Sequence, residues 1–260
     1  MRDDTCEGTS DYAMMNELPE LVKMFRSMDN TGEMEVRLGT WSQIGGFAAG
    51  VTDEVFHQLE RDFEDASTLK VQEDWRELID YHYVLATGER ARTRVEFDRT
   101  NLTTTQSHIK KVVKRSIAFG CASTVDGADA ARIACSLEEP LLNPPDQCLP
   151  TMVRMQQRKT FVDVRGDQVT WKYELSRTWN GPSLVAVEHT RGTCPPVYEV
   201  ECELLHGTYL NERSDMEAAS SFLLKSSLLL GETDSNAMMI LKDTDCARGR
   251  KKSKRRAGRV

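Results

Sequence analysis

The 260-residue chain lacks most signatures by which phosphate-handling and metal proteins are recognised. It has no G-x-x-x-x-G-K-S/T run, so phosphate is not held by a P-loop. Its five histidines (His57, His82, His108, His189, His206) form neither HExxH nor a zinc spacing. The seven cysteines (6, 121, 135, 148, 194, 202 and 246) include no CxxC and make no even framework. Reduced thiols in a cytosolic or nuclear compartment are therefore expected. The most apolar stretch, "SSFLLKSSLLLG", is broken by Lys225 and is too short to span a bilayer. "MRDDTCEGTS" has no apolar h-region, which argues against a signal peptide, and no membrane partner is expected.

Charge is abundant but unevenly placed. Acidic residues number 41 against 34 basic ones, a formal net charge of -7. Eight basic residues and no acidic one lie between Arg248 and the end, so the rest carries 26 basic and 41 acidic side chains. That body excludes a nonspecific DNA-binding surface, whereas the end reads as a flexible polycation.

No internal repeat or linker divides the chain. The reading is a polar segment over 1–17, one domain over 18–247, and a basic, disordered tail over 248–260. "LPELVKMF" suggests a short helix. "VTDEVFHQLERDFEDA" is the clearest helix: Val51, Val55, Leu59 and Phe63 recur every four residues, and Thr52 is a plausible N-cap. Strands are predicted at 75–85, 90–97, 111–118, 131–138, 151–162, 168–178, 184–190 and 197–205, with a hairpin turn at "RGDQ". "MEAASSFLLKSSLLLGE" is a second long helix, and "AMMILKD" is either a last strand or its continuation. "GEMEVRLG" is a further strand, before a loop containing Gly39, Gly45, Gly46 and Gly50. So many strands with two substantial helices predict a predominantly β protein, an antiparallel barrel or a strongly curved sheet.

The strands share an unusual pattern. In "GEMEVRLG", Glu33, Glu35 and Arg37 occupy one face and Met34, Val36 and Leu38 the other. "RARTRVEF" sets Arg90, Arg92, Arg94 and Glu96 opposite Ala91, Thr93, Val95 and Phe97. "RIACSLE" places Arg132, Ala134, Ser136 and Glu138 together, "RMQQR" Arg154, Gln156 and Arg158, and "WKYELSR" Lys172, Glu174 and Ser176. "YEVECEL" aligns Glu199, Glu201 and Glu203. For one strand, charges facing solvent is the default. Like charges at i and i+2 stand roughly 6.6–7 Å apart, tolerable in water and useful across a lumen. Six such strands favour a tunnel, with charged faces inward and apolar faces under the helices. Glu33, Glu35, Glu201 and Glu203 then form a hard-oxygen cluster suited to Mg²⁺ or Mn²⁺. The basic groups suit phosphate oxygens.

These residues resemble the tunnel-type, metal-dependent RNA 5'-triphosphatases of mRNA capping, within the triphosphate tunnel metalloenzymes. The family's ExE strand resembles Glu33-Met-Glu35, and its ExExE strand resembles Glu199 to Glu203. "RIACSLEEP" is similar to its RxxxSxExP strand, which places Glu138 at that strand's acid. "RMQQRKTF" resembles RxKxR through Arg154 and Arg158, but Gln156 stands where the family has lysine. Lys159 faces the opposite side unless a bulge intervenes. "KYELS" resembles R-x-D-x-T through Lys172, Glu174 and Ser176. In "RARTRVEF" the phosphate-meeting arginine matches Arg92 or Arg94. In "KRSI" the inward base matches Lys114 or Arg115.

The resemblance spans about 33 to 205 and implies an eight-stranded antiparallel β-barrel forming a polar tunnel. It implies Glu33, Glu35 and Glu203 as direct ligands of Mg²⁺ or Mn²⁺, with Glu199 and Glu201 holding waters or bases. Arg37, Arg92, Arg94, Lys114, Arg115, Arg154, Arg158, Lys172 and Ser176 would meet phosphate. Glu138 would orient or deprotonate the attacking water, Arg94, Arg154, Arg158, Lys172 and Glu174 completing the catalytic set; its alternatives are a salt bridge to Arg132 or a loop position before Pro140. The implied substrate is the 5'-triphosphate end of nascent mRNA, with nucleoside triphosphates accepted in vitro and an RNA guanylyltransferase as partner. A monomer is expected, and "RGRKKSKRR" resembles a nuclear targeting signal.

Other readings remain. An inorganic tripolyphosphatase or thiamine triphosphatase of the same fold would share these motifs. A noncatalytic RNA-end or polyphosphate-binding module would keep the arginines without needing aligned glutamates. Cys148 to Arg154 has the CxxxxxR spacing of cysteine phosphatases, but the loop has no glycine and Pro150 removes an N–H donor. Trp75, Trp171 and Trp179 are candidates for base stacking, though Trp171 fits the outer face better.

Overall fold

A computed structural model describes residues 11–28, 31–42, 46–98, 103–121, 129–145, 149–165, 168–205, 208–229 and 238–241. The helices are α1 (Asp11–Arg26), α2 (Asp53–Asp65), α3 (Leu184–Thr193), α4 (Thr208–Asn211) and α5 (Asp215–Leu229). The strands are β1 (Gly32–Ser42), β2 (Gly46–Ala49), β3 (Leu69–Val84), β4 (Arg90–Asp98), β5 (Thr103–Cys121), β6 (Asp129–Pro140), β7 (Met152–Arg165), β8 (Gln168–Gly181), β9 (Val197–Leu204) and β10 (Met238–Leu241).

Eight of these strands close on themselves. Around the barrel the order is β1, β6, β5, β4, β3, β7, β8, β9 and back to β1, every pairing antiparallel. Closure leaves none of the eight as a bare edge. β2 forms a hairpin with β1, and β10 lengthens the sheet beside β5.

Register decides which faces point inward. Glu35 pairs with Glu203, Glu174 with Glu201, Arg158 with Ser176, Asp80 with both Arg94 and Arg154, and Lys111 with Glu138. Paired residues share a face, so the charged faces meet inside one tunnel. The alternate residues point outward. Met34, Val36, Leu38, Ile133, Trp171, Leu175, Val200 and Leu204 are buried there with Leu21, Val22 and Phe25 of α1, Phe56 and Phe63 of α2, and Phe222 of α5. Each such side chain contributes about 1.5–3 kcal/mol of apolar burial. The core is thus a coat around the barrel.

α1 begins at Asp11 and runs through Pro19, longer than the short helix expected at 18–25. Its stripe of Leu18, Leu21, Val22 and Phe25 is buried, and this packing carries the helix through a proline that cannot donate a backbone bond. Residues 11–17 therefore belong to a helix, and Glu17 pairs with Arg115 at 3.1 Å. α2 keeps its predicted cap: the Val55 N–H donates to the Thr52 hydroxyl at 3.4 Å.

The strand predicted at 184–190 is instead α3. Ser183 caps it, accepting from the Ala186 N–H at 3.3 Å. Its β-branched residues read with period two, but Leu184 and Val187 sit three apart and pack against Val153, Met155 and Trp179. "AMMILKD" contributes β10, and the loop after Gly39 contains β2. The tip of the "RGDQ" turn, Cys148 and the basic tail lie outside the described residues. No described helix is long and apolar enough to cross a membrane.

Candidate active site

The tunnel holds a cavity of about 320 Å³ lined by sixteen residues, twelve of them charged. Acids dominate one wall. β1 brings Glu33 and Glu35 toward Glu201 and Glu203 of β9, and all but Glu35 line the cavity. Bases dominate the other, with Arg92 and Arg94 on β4 and Arg154 and Arg158 on β7.

Each wall is already tied to counter-charges. Lys111 pairs with Glu33, and also with Glu138 at 3.4 Å and Glu35 at 3.7 Å. Lys172 pairs with Glu203, and with Glu174 at 3.3 Å. Arg37 reaches Glu35 at 2.9 Å and Glu201 at 3.4 Å. Arg158 meets Glu174 at 2.7 Å, and Arg154 pairs with Glu199. Arg94 grips Asp80, with Nε and Nη2 each 2.7 Å from a carboxylate oxygen.

Arg92 differs. Its carboxylate neighbours, Asp80 and Glu138, both stand 3.9 Å away, and its buried Nε, like those of Arg154 and Arg158, has no hydrogen-bond partner. Burial and the nearby Arg94 charge lower its pKa. Arg92 is thus a loosely compensated guanidinium on the cavity wall, arranged to accept an anion.

Crowding of the acids is visible in their proton affinities. Burial pushes Glu203 up to about 7 against the pull of Lys172, and the Glu33 charge adds to the rise. Glu35 is raised by burial despite Arg37, with Glu33 adding. Glu201 moves the other way, because Arg37, Arg158 and Arg154 together outweigh its burial. Among the described residues, no group of three or more His, Cys, Asp or Glu is already arranged to hold a metal ion. The donor chemistry nevertheless fits one. Glu33, Glu35 and Glu203 are hard carboxylates whose mutual repulsion a divalent cation would relieve, and Lys111 and Lys172 now supply positive charge at the same oxygens.

Most predicted site residues meet at this cavity. Ser176 is inward beside Arg158 and fully buried, its hydroxyl unpartnered. Gln156 is also inward and fully buried; its Oε1 accepts from Arg158 at 3.0 Å and its Nε2 has no partner. Lys159 faces outward to Glu60 and Glu64.

Lys114 and Arg115 do not join the cavity. A bulge between Val113 and Arg115 switches the inward face of β5. Arg115 consequently turns toward α1, and Lys114 is exposed. The base that β5 does send inward is Lys111. Asp80, wholly buried under Arg94, was also missed. Its signal was weak: the inward neighbours of Asp80 on β3 are Leu78 and His82. Glu138 bonds with Lys111 rather than serving only as a loop residue before Pro140. Trp171 packs on Phe222, Trp75 stacks under Arg177 and Trp179 sits against Val187 under α3, so all three pack the outside of the barrel.

No protein-family model matches the chain, and no curated protein matches it. Solved structures do. S. pombe Pct1 RNA triphosphatase is 15% identical, with a TM-score of 0.59 over 86% of this chain and 93% of that one. The same protein in complex with the Spt5 CTD gives 16% identity and a TM-score of 0.61, over 86% and 94%. The RNA triphosphatase domain of a trifunctional mimivirus mRNA capping enzyme gives 13% and 0.53, over 84% and 97%. The likeness is one of backbone, and it shows that this chain shares their fold.

Proposed function

We propose that the chain is a metal-dependent RNA 5'-triphosphatase, removing the γ-phosphate from 5'-triphosphate RNA in the first step of mRNA capping. One observation carries this reading: a carboxylate wall and an arginine wall face each other inside a closed barrel. Neither a solvated sheet nor a simple anion-binding module needs both. The shared fold with fungal and viral RNA triphosphatases supports it.

Glu33, Glu35 and Glu203, backed by Glu201, would hold Mg²⁺ or Mn²⁺. When bound, the cation supplies Lewis acidity at the phosphate oxygens. Arg92 receives the nearest free anionic oxygen, while Arg94, Arg154, Arg158 and Lys172 surround the rest and offset charge as the terminal P–O bond breaks. Glu174 keeps Arg158 and Lys172 in place. Glu138, part-exposed beside Arg92 and Lys111, orients the attacking water and takes its proton on a carboxylate oxygen. Arg37 steadies Glu35 and Glu201.

The test is phosphate release from triphosphate-ended RNA, ATP and inorganic tripolyphosphate, with and without Mn²⁺. Release from RNA that requires the metal supports the reading. Turnover of tripolyphosphate or thiamine triphosphate alone would assign a sibling activity, and no release from any substrate would leave a binding module. Cys148→Ser should leave turnover intact. We further propose a nuclear monomer that meets an RNA guanylyltransferase, its basic tail steering RNA toward an acidic body. Ending the chain at Ala247 should preserve ATP hydrolysis while weakening RNA engagement and nuclear retention.

A further inference from the structure

The four uncharged residues of the cavity wall are Thr31, Gly32, Ile109 and Pro140. They are not scattered. β1, β6 and β5 are neighbours, and antiparallel pairing brings the start of β1, the end of β6 and Ile109 of β5 to the same mouth. Ile109 and Pro140 form the last rung of their ladder, Ile109 half-buried and Pro140 exposed. The Leu141 N–H donates to the His108 carbonyl at 2.8 Å, fixing the chain just beyond this rung.

The side chains of this arc offer no free donor to a phosphate. Proline has no N–H, the isoleucine side chain has no polar atom, and the Thr31 hydroxyl donates to the Met28 carbonyl at 2.9 Å. The next inward rung is Lys111 with Glu138, and Arg92 pairs with Ile109 across β4 and β5. Rungs on one face are roughly 6.6–7 Å apart, so the Ile109–Pro140 rung lies one step toward the mouth from Lys111 and Glu138. A chain of phosphates held by Arg92 and Lys111 therefore leaves its non-phosphate substituent against an apolar shelf.

We infer that Ile109 and Pro140 form a nucleoside shelf, determining specificity for a triphosphate esterified to a nucleoside over inorganic tripolyphosphate. The inference rests on the proposed hydrolase reading and specifies its substrate class. Contact is with aliphatic side chains and no base-edge donor or acceptor, so the shelf accepts any base.

The experiment compares wild type with Ile109→Ser and Pro140→Ser in the full chain with Mn²⁺, using ATP, GTP and inorganic tripolyphosphate. The expected result is a KM for both nucleotides raised roughly tenfold, with kcat and the KM for tripolyphosphate unchanged. An equal rise on all substrates, or none on any, overturns the shelf. Thermal melts identify a variant that fails to fold. Pro140→Ser, at an exposed strand end, then decides the matter, and Ile109→Val, with one methylene fewer, gives a smaller selective rise. If wild type hydrolyses nothing, the hydrolase reading fails by itself. Calorimetric binding of ATP and tripolyphosphate then tests the shelf: selective weakening of ATP in Ile109→Ser supports it, and unchanged relative affinity overturns it.

Discussion

Asp80 and Arg94 form a two-pronged ion pair inside the tunnel wall, both contacts at 2.7 Å, with the carboxylate wholly buried. Burial alone would raise the Asp80 carboxyl, but the Arg94 guanidinium overrides it and holds it at about 2. Removing the acid leaves a buried arginine without its partner. Asp80→Asn should cost about 3 kcal/mol in urea unfolding. The sign of its pH dependence follows from the depressed value. The contribution is complete above the unfolded value of about 3.9, and it is lost as pH falls toward 2. The gap between wild type and Asp80→Asn should therefore narrow from about pH 4 downward. A gap that is constant from pH 7 to 2.5 would show that the pair does not contribute as argued.

Arg92 and Arg94 are alternatives in the sequence but not in the structure. Arg94 is bound to Asp80, whereas both carboxylate neighbours of Arg92 are 3.9 Å away. Arg92→Ala should lower kcat/KM by about 10- to 100-fold, the loss of one charge-assisted contact, with little change in melting temperature. Arg94→Ala should instead cost stability, because it strands Asp80. If Arg92→Ala melts far lower and Arg94→Ala does not, the two roles are reversed.

The acidic wall predicts a metal requirement that can be read without turnover. Glu33→Ala, Glu35→Ala and Glu203→Ala each remove a hard-oxygen donor. Each should weaken Mn²⁺ binding, followed by electron paramagnetic resonance of free Mn²⁺, by at least tenfold. Each should also abolish metal-dependent hydrolysis, and chelation of wild type should do the same. Mn²⁺ affinity unchanged in all three would remove these residues from the ligand set.

Much of the tunnel is legible in the sequence. Glu33, Glu35, Glu199, Glu201 and Glu203 alternate with apolar residues at the strand period, and an apolar face covered by helices sends the charges inward. What escaped was set by departures from that period. The bulge between Val113 and Arg115 exchanges the faces of β5 beyond it and turns Arg115 outward, so Lys111, ahead of the bulge, is the base of β5 that reaches the cavity. Asp80 escaped because its neighbours on the same face, Leu78 and His82, do not continue a charged stripe. Residues 184–190 read as a strand until Ser183 supplied a helix cap, a local bond that outweighed β-branched composition. Separation of the two charged walls needs strand order, which no local pattern contains.

Gln156 gives the last prediction. It lies fully buried on β7 between Arg154 and Arg158, where a lysine would add a third cation. Its carbonyl oxygen accepts from Arg158 Nη2 at 3.0 Å, while its amide nitrogen is unpartnered. Gln156→Leu removes a useful acceptor and an unsatisfied donor together, so stability should change by less than about 1 kcal/mol. Arg158 keeps Glu174 but loses one of its two anchors, and kcat should fall about three- to tenfold with KM little altered. Gln156→Lys places a buried charge beside two arginines. Its melting temperature should drop in the ligand-free protein and recover when tripolyphosphate is added, because the anion binds and neutralises the crowded wall. A Gln156→Lys protein as stable as wild type without any anion would mean that Glu199 and Glu201 absorb the extra charge, and that the basic wall is not near its electrostatic limit.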